Sequence, residues 1–208
     1  MTSFDAIVFV VDDDPLIRDA LEQLIKSVGL KAYTFSSARE FLEEDLPDGP
    51  CCLILDIRMP GLSGLDLQDE LAKKALTIPV IFITGHGTVP MSVRAMKAGA
   101  VDFIQKPFED QELLDAIHSA LERNRQTRME QAEIREIKRR VESLTPREYE
   151  VLLLVTAGKL NKQIAYDLKL SENTVKTHRA HIMQKMKAES LADLVRLTEK
   201  VDICRYKR

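Results

Sequence analysis

Apolar and polar residues change their spacing as the chain proceeds. Short apolar runs at residues 6–11, 53–55, Val80–Thr84 and 101–104 read as strands, with Lys31–Phe35 as a weaker fifth. The runs at 53–55 and 80–84 are apolar throughout, as strands buried on both faces must be. Between the runs, Ile17, Ala20, Leu21, Leu24 and Ile25 recur at helical spacing, and so do Met91, Ala95 and Ala98. Strands alternating with helices predict a parallel sheet with helices on both faces. Five such units predict the α/β, flavodoxin-like doubly wound fold, with strand order 2-1-3-4-5.

After Pro107 every pattern is helical. Leu113, Ile117 and Leu121 form one stripe, a highly charged stretch runs from Glu122 to Arg140, and Ile134, Ile137, Val141 and Leu144 form a second stripe. The second stripe is too short for a coiled coil, which needs about three or four heptads. Residues 122–142 therefore read as a solvated helical linker rather than a dimerising seam. Beyond them four short helices are expected. Thr145-Pro146-Arg147-Glu148 is a complete start signal, Gly158 sits where that helix should stop, and Asn161, Ser171 and Ser190 are expected caps for the next three. The division is thus 1–121 for the α/β domain, 122–142 for the linker and 143–208 for an all-α domain.

Charge sharpens that division. The net charge of −3 conceals −10 over residues 1–121, +2 over 122–142 and +5 over 143–208. A basic second domain is a candidate for nucleic acid, although charge alone leaves this open. The first residues carry no basic stretch before an apolar run, and no apolar run approaches the roughly 18 residues of a membrane span. Cys51, Cys52 and Cys204 form no CxxC and no paired framework, which fits a reducing cytoplasm and not a disulfide or zinc scaffold.

The chemistry gathers at strand ends. Asp12, Asp13 and Asp14 follow the first strand, and Asp56 ends the third. In a 2-1-3-4-5 sheet those strands are neighbours, and ligands bind beyond their carboxyl ends where the chain direction switches. Asp12, Asp13 and Asp56 should converge there, with Thr84 and Lys106 on the same rim, while Asp14 before Pro15 reads as a helix cap. Carboxylates about 4 Å apart repel by roughly 4 kcal/mol at an effective dielectric near 20, which a divalent cation would relieve. Mg²⁺ suits such a set, together with a phosphate oxygen. A carboxylate nucleophile forms an aspartyl phosphate, and a threonine hydroxyl and lysine ammonium suit the phosphoryl oxygens.

The segments VVDDDPLIR, LILDIRMPGLSG, VIFITGHG and VDFIQKPF resemble the four signatures of the response-regulator receiver domain, in order, over residues 4 to 122. The resemblance implies that Asp56 accepts a phosphoryl group from a sensor histidine kinase. It implies that Asp12, Asp13, Asp56 and the Arg58 carbonyl hold Mg²⁺, with Mn²⁺ as a substitute. By the same resemblance Thr84 and Lys106 read the phosphoryl group, Phe103 is the aromatic switch, and the Lys106–Pro107 bond is cis. Arg58 and His86 would govern access of water to the phosphoryl group. The run from Ile83 to Asp110 is closer to FixJ-like regulators, which implies a homodimer, when phosphorylated, through the surface between Val89 and Gln105.

The segment LTPREYEVLLLVTAGKLNKQIAYDLKLSENTVKTHRAHIMQKM resembles the LuxR-type helix-turn-helix, also seen in NarL-like regulators. The implied scaffold helix is Asn161–Leu168 and the implied recognition helix Glu172–Met186. Periodicity orients the latter independently. Val175, His178, Ile182 and Met186 share a core face, and Asn173, Thr177, Ala180 and Gln184 lie opposite, with Lys176 and His181 on the flanks. The family's base-contacting positions fall at Lys176, Thr177 and Ala180. Ala180 stands where relatives often carry lysine, and alanine can touch only a thymine methyl. Lys162 and Lys185 are candidate phosphate contacts. His178 and His181 lack further metal ligands and read as core and surface residues.

The resemblance as a whole implies a transcriptional regulator, an activator by family, that binds double-stranded promoter DNA and acts on RNA polymerase. The enzymatic rival is a haloacid-dehalogenase-type phosphohydrolase. That class needs a second Asp two residues after its nucleophile, and Arg58 occupies that place.

Overall fold

A computed structural model of the protein describes residues 6–74, 76–85, 87–201 and 203. His86 and Cys204 lie outside the described residues. The chain divides into two compact units, residues 1–128 and 129–208.

The first unit has five parallel strands: β1 (Ile7–Val11), β2 (Lys31–Phe35), β3 (Cys51–Asp56), β4 (Val80–Thr84) and β5 (Asp102–Gln105). Their order is β2-β1-β3-β4-β5, as the alternation of strand and helix patterns predicts. The helices between them are α1 (Pro15–Ser27), α2 (Ala38–Leu42), α3 (Gly64–Lys73) and α4 (Val89–Lys97), followed by α5 (Asp110–Glu142). Every residue of β3 and β4 is buried, so both faces of the central sheet are covered. The two-residue period sorts the core into layers. Phe9, Val11, Leu53, Leu55 and Phe82 pack with Phe41, Leu67 and Leu71, on the side of α2 and α3. Val8, Val10, Ile54, Ile81 and Ile83 pack with Leu21, Ile25, Leu113 and Ile117 of α1 and α5. Strand bounds differ from expectation by a residue or two, because pairing with neighbours extends β3 to Cys51 and Asp56 and begins β5 at Asp102.

Caps set the helix starts. Asp14 accepts the Leu16 N–H at 2.9 Å, with Pro15 opening α1. The second unit contains α6 (Pro146–Thr156), α7 (Asn161–Leu168), α8 (Glu172–Met186) and α9 (Leu191–Lys200). The capping box is complete: Thr145 Oγ1 accepts the Glu148 N–H at 3.2 Å, and Glu148 Oε2 accepts the Thr145 N–H at 2.8 Å. Ser171 and Ser190 cap α8 and α9. Asn161 does not cap α7. Leu160 holds that position, and Gln163 reaches back to its N–H at 2.8 Å, while the Asn161 side chain is used elsewhere.

Residues 122–142, expected as a helical linker, are helical. They continue α5, and each unit takes part of them into its packing. Asn124, 1% exposed, accepts the Cys51 N–H at 3.1 Å and donates to the Thr77 carbonyl at 3.1 Å. Arg128 donates to Asn124 and to the Pro47 carbonyl. Ile137, Val141 and Leu144 lie in the core of the second unit with Val151, Ile164, Val175, Ile182 and Leu194. The apolar stripe, too short to read as a coiled coil, contributes to the core of this small domain.

Asn124 satisfies polar backbone at the entry to β3 and before β4 at once. Asn124→Ala should cost about 1–3 kcal/mol, the penalty for a stranded buried donor. Urea unfolding of the variant against the parent measures it.

Candidate functional site

The register of the sheet builds the site. Val11 pairs with Leu55, so Asp12 emerges beside Asp56. Asp56 pairs with Ile83 and Thr84 with Gln105, which brings Thr84 and Lys106 to the same edge. The Lys106 N–H donates to the Thr84 carbonyl at 2.8 Å, and the Lys106–Pro107 bond is cis.

Lys106 Nζ sits between two buried carboxylates, 2.7 Å from Asp12 Oδ2 and 3.0 Å from Asp56 Oδ1. The second oxygen of each is also held: Asp12 Oδ1 accepts the Asp14 N–H at 2.9 Å, and Asp56 Oδ2 accepts the Arg58 N–H at 2.7 Å. Arg18 of α1 donates to the Asp12 carbonyl at 2.7 Å, a contact with no sequence signal of its own. Burial pushes the Asp56 carboxyl above the usual carboxylate value, against the pull of the Lys106 ammonium. Burial alone would lower Lys106, but its bonds to Asp12 and Asp56 hold it above the ordinary lysine value. The ammonium is thus a fixed cation beside a carboxylate made more basic by its surroundings.

Asp12, Asp56 and Thr84 are buried at 1%, 6% and 1% exposure, whereas Asp13 and Arg58 are exposed. Among the described residues no three acidic, histidine or cysteine side chains gather into a ready cage for a metal. Asp13 stands at the same strand exit as Asp12 but is exposed. Asp12 and Asp56 share Lys106. The donor set still fits Mg²⁺, which takes one or two carboxylates and completes its shell with water and phosphate oxygen. Two buried carboxylates on one ammonium leave negative charge for a divalent ion to balance.

Two glycines shape the site. A Cβ on Gly64 would lie 2.2 Å from the Asp56 carbonyl oxygen and 3.1 Å from the Ile57 Cα. A Cβ on Gly87 would lie 2.9 Å from the Phe103 ring and 3.1 Å from the Thr84 methyl. Thr84 and half-buried Phe103 thus crowd one spot, so displacing either changes the room left for the other. Beside them Val89, Val93 and Met96 make an exposed apolar stripe along α4, at 77%, 46% and 46% exposure.

In the second unit, Val175, Ile182 and Met186 of α8 are buried and His178 is half-buried. Asn173, Lys176, Thr177, Ala180, His181 and Gln184 are exposed, as is Lys162 of α7. Lys185, expected as a phosphate contact, is paired within the fold. Its Nζ donates to Glu148 Oε2 at 2.6 Å, because α6 has buried a carboxylate within its reach. Burial opposes ionisation of Glu148, but the Lys185 ammonium and the Thr145 N–H and hydroxyl outweigh it and bring the carboxyl down to about 2. Arg179 donates to Asn161 Oδ1 at 3.0 Å.

Gly64→Ala should lower stability by about 1–3 kcal/mol, because the clash is with backbone and not with a movable side chain. Thermal unfolding compared with the parent tests this. Glu148, depressed from 4.5 to about 2, contributes stability that is present above its unfolded value and lost as pH falls toward the folded one. Acid unfolding of residues 129–208, followed by helical circular dichroism, should show that loss, and Glu148→Gln should flatten it.

The family model for the response regulator receiver domain matches residues 8–118, and that for bacterial regulatory proteins of the luxR family matches residues 142–198. Nodulation protein W of Bradyrhizobium diazoefficiens is 55% identical over 201 residues, covering 97% of this chain and 88% of that one. The response regulator protein TodT of Pseudomonas putida is 48% identical, with coverage of 97% and 88%. The structure of the response regulator StyR aligns with a TM-score of 0.85 at 49% identity, covering 94% of this chain and 99% of that one. Full-length FixJ from B. japonicum aligns with a TM-score of 0.56 at 39% identity, covering 95% and 97%. Sheet order, strand-end chemistry and helical second unit agree with these likenesses: the chain belongs to the response regulators of two-component systems, with a receiver domain followed by a LuxR-family DNA-binding helix-turn-helix.

Proposed function

We propose that the protein is a phosphorylation-controlled transcriptional activator in which Asp56 is the phospho-acceptor. The observation that carries this reading is the Lys106 ammonium held at 2.7 and 3.0 Å between Asp12 and Asp56, with Thr84 on the same edge. An Asp56 carboxylate oxygen attacks phosphorus on the phosphohistidine of a sensor kinase. The new P–O bond forms as the P–N bond breaks, and the imidazole nitrogen leaves with the electron pair. Asp12, Asp13, Asp56 and the Arg58 carbonyl would hold Mg²⁺, which when bound neutralises charge developing on the phosphoryl oxygens. Lys106 exchanges a carboxylate partner for a phosphoryl oxygen, and the Thr84 hydroxyl turns toward another.

Movement of Thr84 changes the space beside Gly87 that Phe103 also occupies. The Phe103 ring follows, and the α4–β5 surface with its apolar stripe pairs with a second copy. An exposed apolar patch at that place suits such an interface. The dimer lays two copies of α8 into successive major grooves of promoter DNA. Lys176, Thr177 and Ala180 face base edges, with Asn173 and Gln184 beside them and Lys162 near phosphate. RNA polymerase is the downstream partner. No described helix is long and apolar enough to cross a membrane.

Asp56→Asn tests the reading. With a small phospho-donor and Mg²⁺, the parent should take up phosphoryl, dimerise and shift promoter DNA, whereas the variant should do none of these. Uptake and normal switching by Asp56→Asn would exclude Asp56 as acceptor. Multiple turnover on a phosphate monoester would favour a hydrolase instead.

A further inference from the structure

Helix α8 carries several cations, and the structure separates them into two kinds. Lys176 is exposed and pairs with no acidic side chain among the described residues. Arg179 and Lys185 instead have partners on other helices. Lys185 donates to Glu148 at 2.6 Å and to the Ser143 carbonyl at 3.2 Å. Glu148 is 3% exposed, and its other oxygen, Oε1, stands 3.6 Å from His181 Nδ1. His181 and Lys185 are one helical turn apart, so a single buried carboxylate faces α8 at two levels. Nearer the start of α8, Arg179 is held by Asn161 of α7 at 3.0 Å.

A lysine leaving Glu148 for a phosphate would strand a buried carboxylate, which is strongly unfavourable. We propose that Glu148 is a positioning residue for DNA recognition: it holds α8 through Lys185, sets how the helix presents Lys176, Thr177 and Ala180, and keeps Lys185 from acting as a phosphate contact. This rests on the DNA-binding reading above. In it, Lys185 is a tether whose charge is directed inward, and Arg179 is its counterpart on the side of α7. The usual inference that a basic residue beside a recognition helix reads phosphate fails here, because the compensating anion lies beneath the helix.

The test uses the intact chain and a DNA duplex that the parent selects from a randomised pool. Affinity is measured by fluorescence anisotropy across a salt series. Removing one lysine–phosphate pairing lowers the slope of log K against log salt by about 0.9. Lys185→Met should weaken binding about tenfold, the size of one charge-assisted hydrogen bond, with the slope unchanged. Glu148→Gln, which keeps an acceptor for the Thr145 N–H, should weaken binding similarly. The double variant should be no weaker than either single one, since both remove the same tether. Lys185→Arg should restore most of the affinity. A slope reduced by about 0.9 in Lys185→Met, or tighter binding by Glu148→Gln, would overturn the proposal. Circular dichroism establishes that each variant is folded at the assay temperature. Should Glu148→Gln not fold, the slope of Lys185→Met decides alone, because that side chain is 34% exposed and its replacement leaves the core intact. A parent that selects no duplex would overturn the DNA-binding reading itself, and this proposal with it.

Discussion

A buried charge must find a partner, and in this protein that requirement fixes both functional ends. At the mouth of the sheet, Asp12 and Asp56 compete for the single ammonium of Lys106, which reaches them from a residue 94 positions from one and 50 from the other. Neither carboxylate could stay buried without it at low cost. The contact therefore joins the exits of β1, β3 and β5, and it holds the region ready for a ligand with more charge to offer. In the helical unit the same physics has another result. Glu148 lies under α8 with a lysine of its own and is satisfied within the fold.

Regular periodicity makes most of the architecture readable from the chain. Odd and even residues of β1, β3 and β4 separate into two core layers, so the apolar runs disclose a sheet covered on both sides. The inward face of α8 is legible for the same reason, since Val175, Ile182 and Met186 recur at helical spacing and are all buried. The strand-end residues Asp12, Asp56, Thr84 and Lys106 follow from strand order alone, because parallel neighbours deliver their carboxyl ends to one edge.

What the chain does not disclose is which polar groups meet across long separations. Asn124 lies in a charged stretch and looks solvated, yet it is among the least exposed polar residues, bonded to backbone 73 residues away. Lys185 has the appearance of a surface cation until Glu148, 37 residues earlier, is found beneath it. Asn161 has the composition of a cap but turns to Arg179. Asp13 shares its chemistry with Asp12 but not its burial. In each case residue type is right and geometry decides the role.

The complete enclosure of β3 has a further implication for how the protein can be divided. Its residues 51–55 have no side suited to water, and β3 pairs with β1 over 51–55 and with β4 over 53–56. A fragment ending before β4 would expose a flat, uncharged ribbon of Cys-Cys-Leu-Ile-Leu with open backbone donors and acceptors, the kind of edge that recruits other chains. The same hazard attends synthesis, because β3 leaves the ribosome before the strand that shields it. The α/β unit is therefore an all-or-none object that does not tolerate a cut within its sheet.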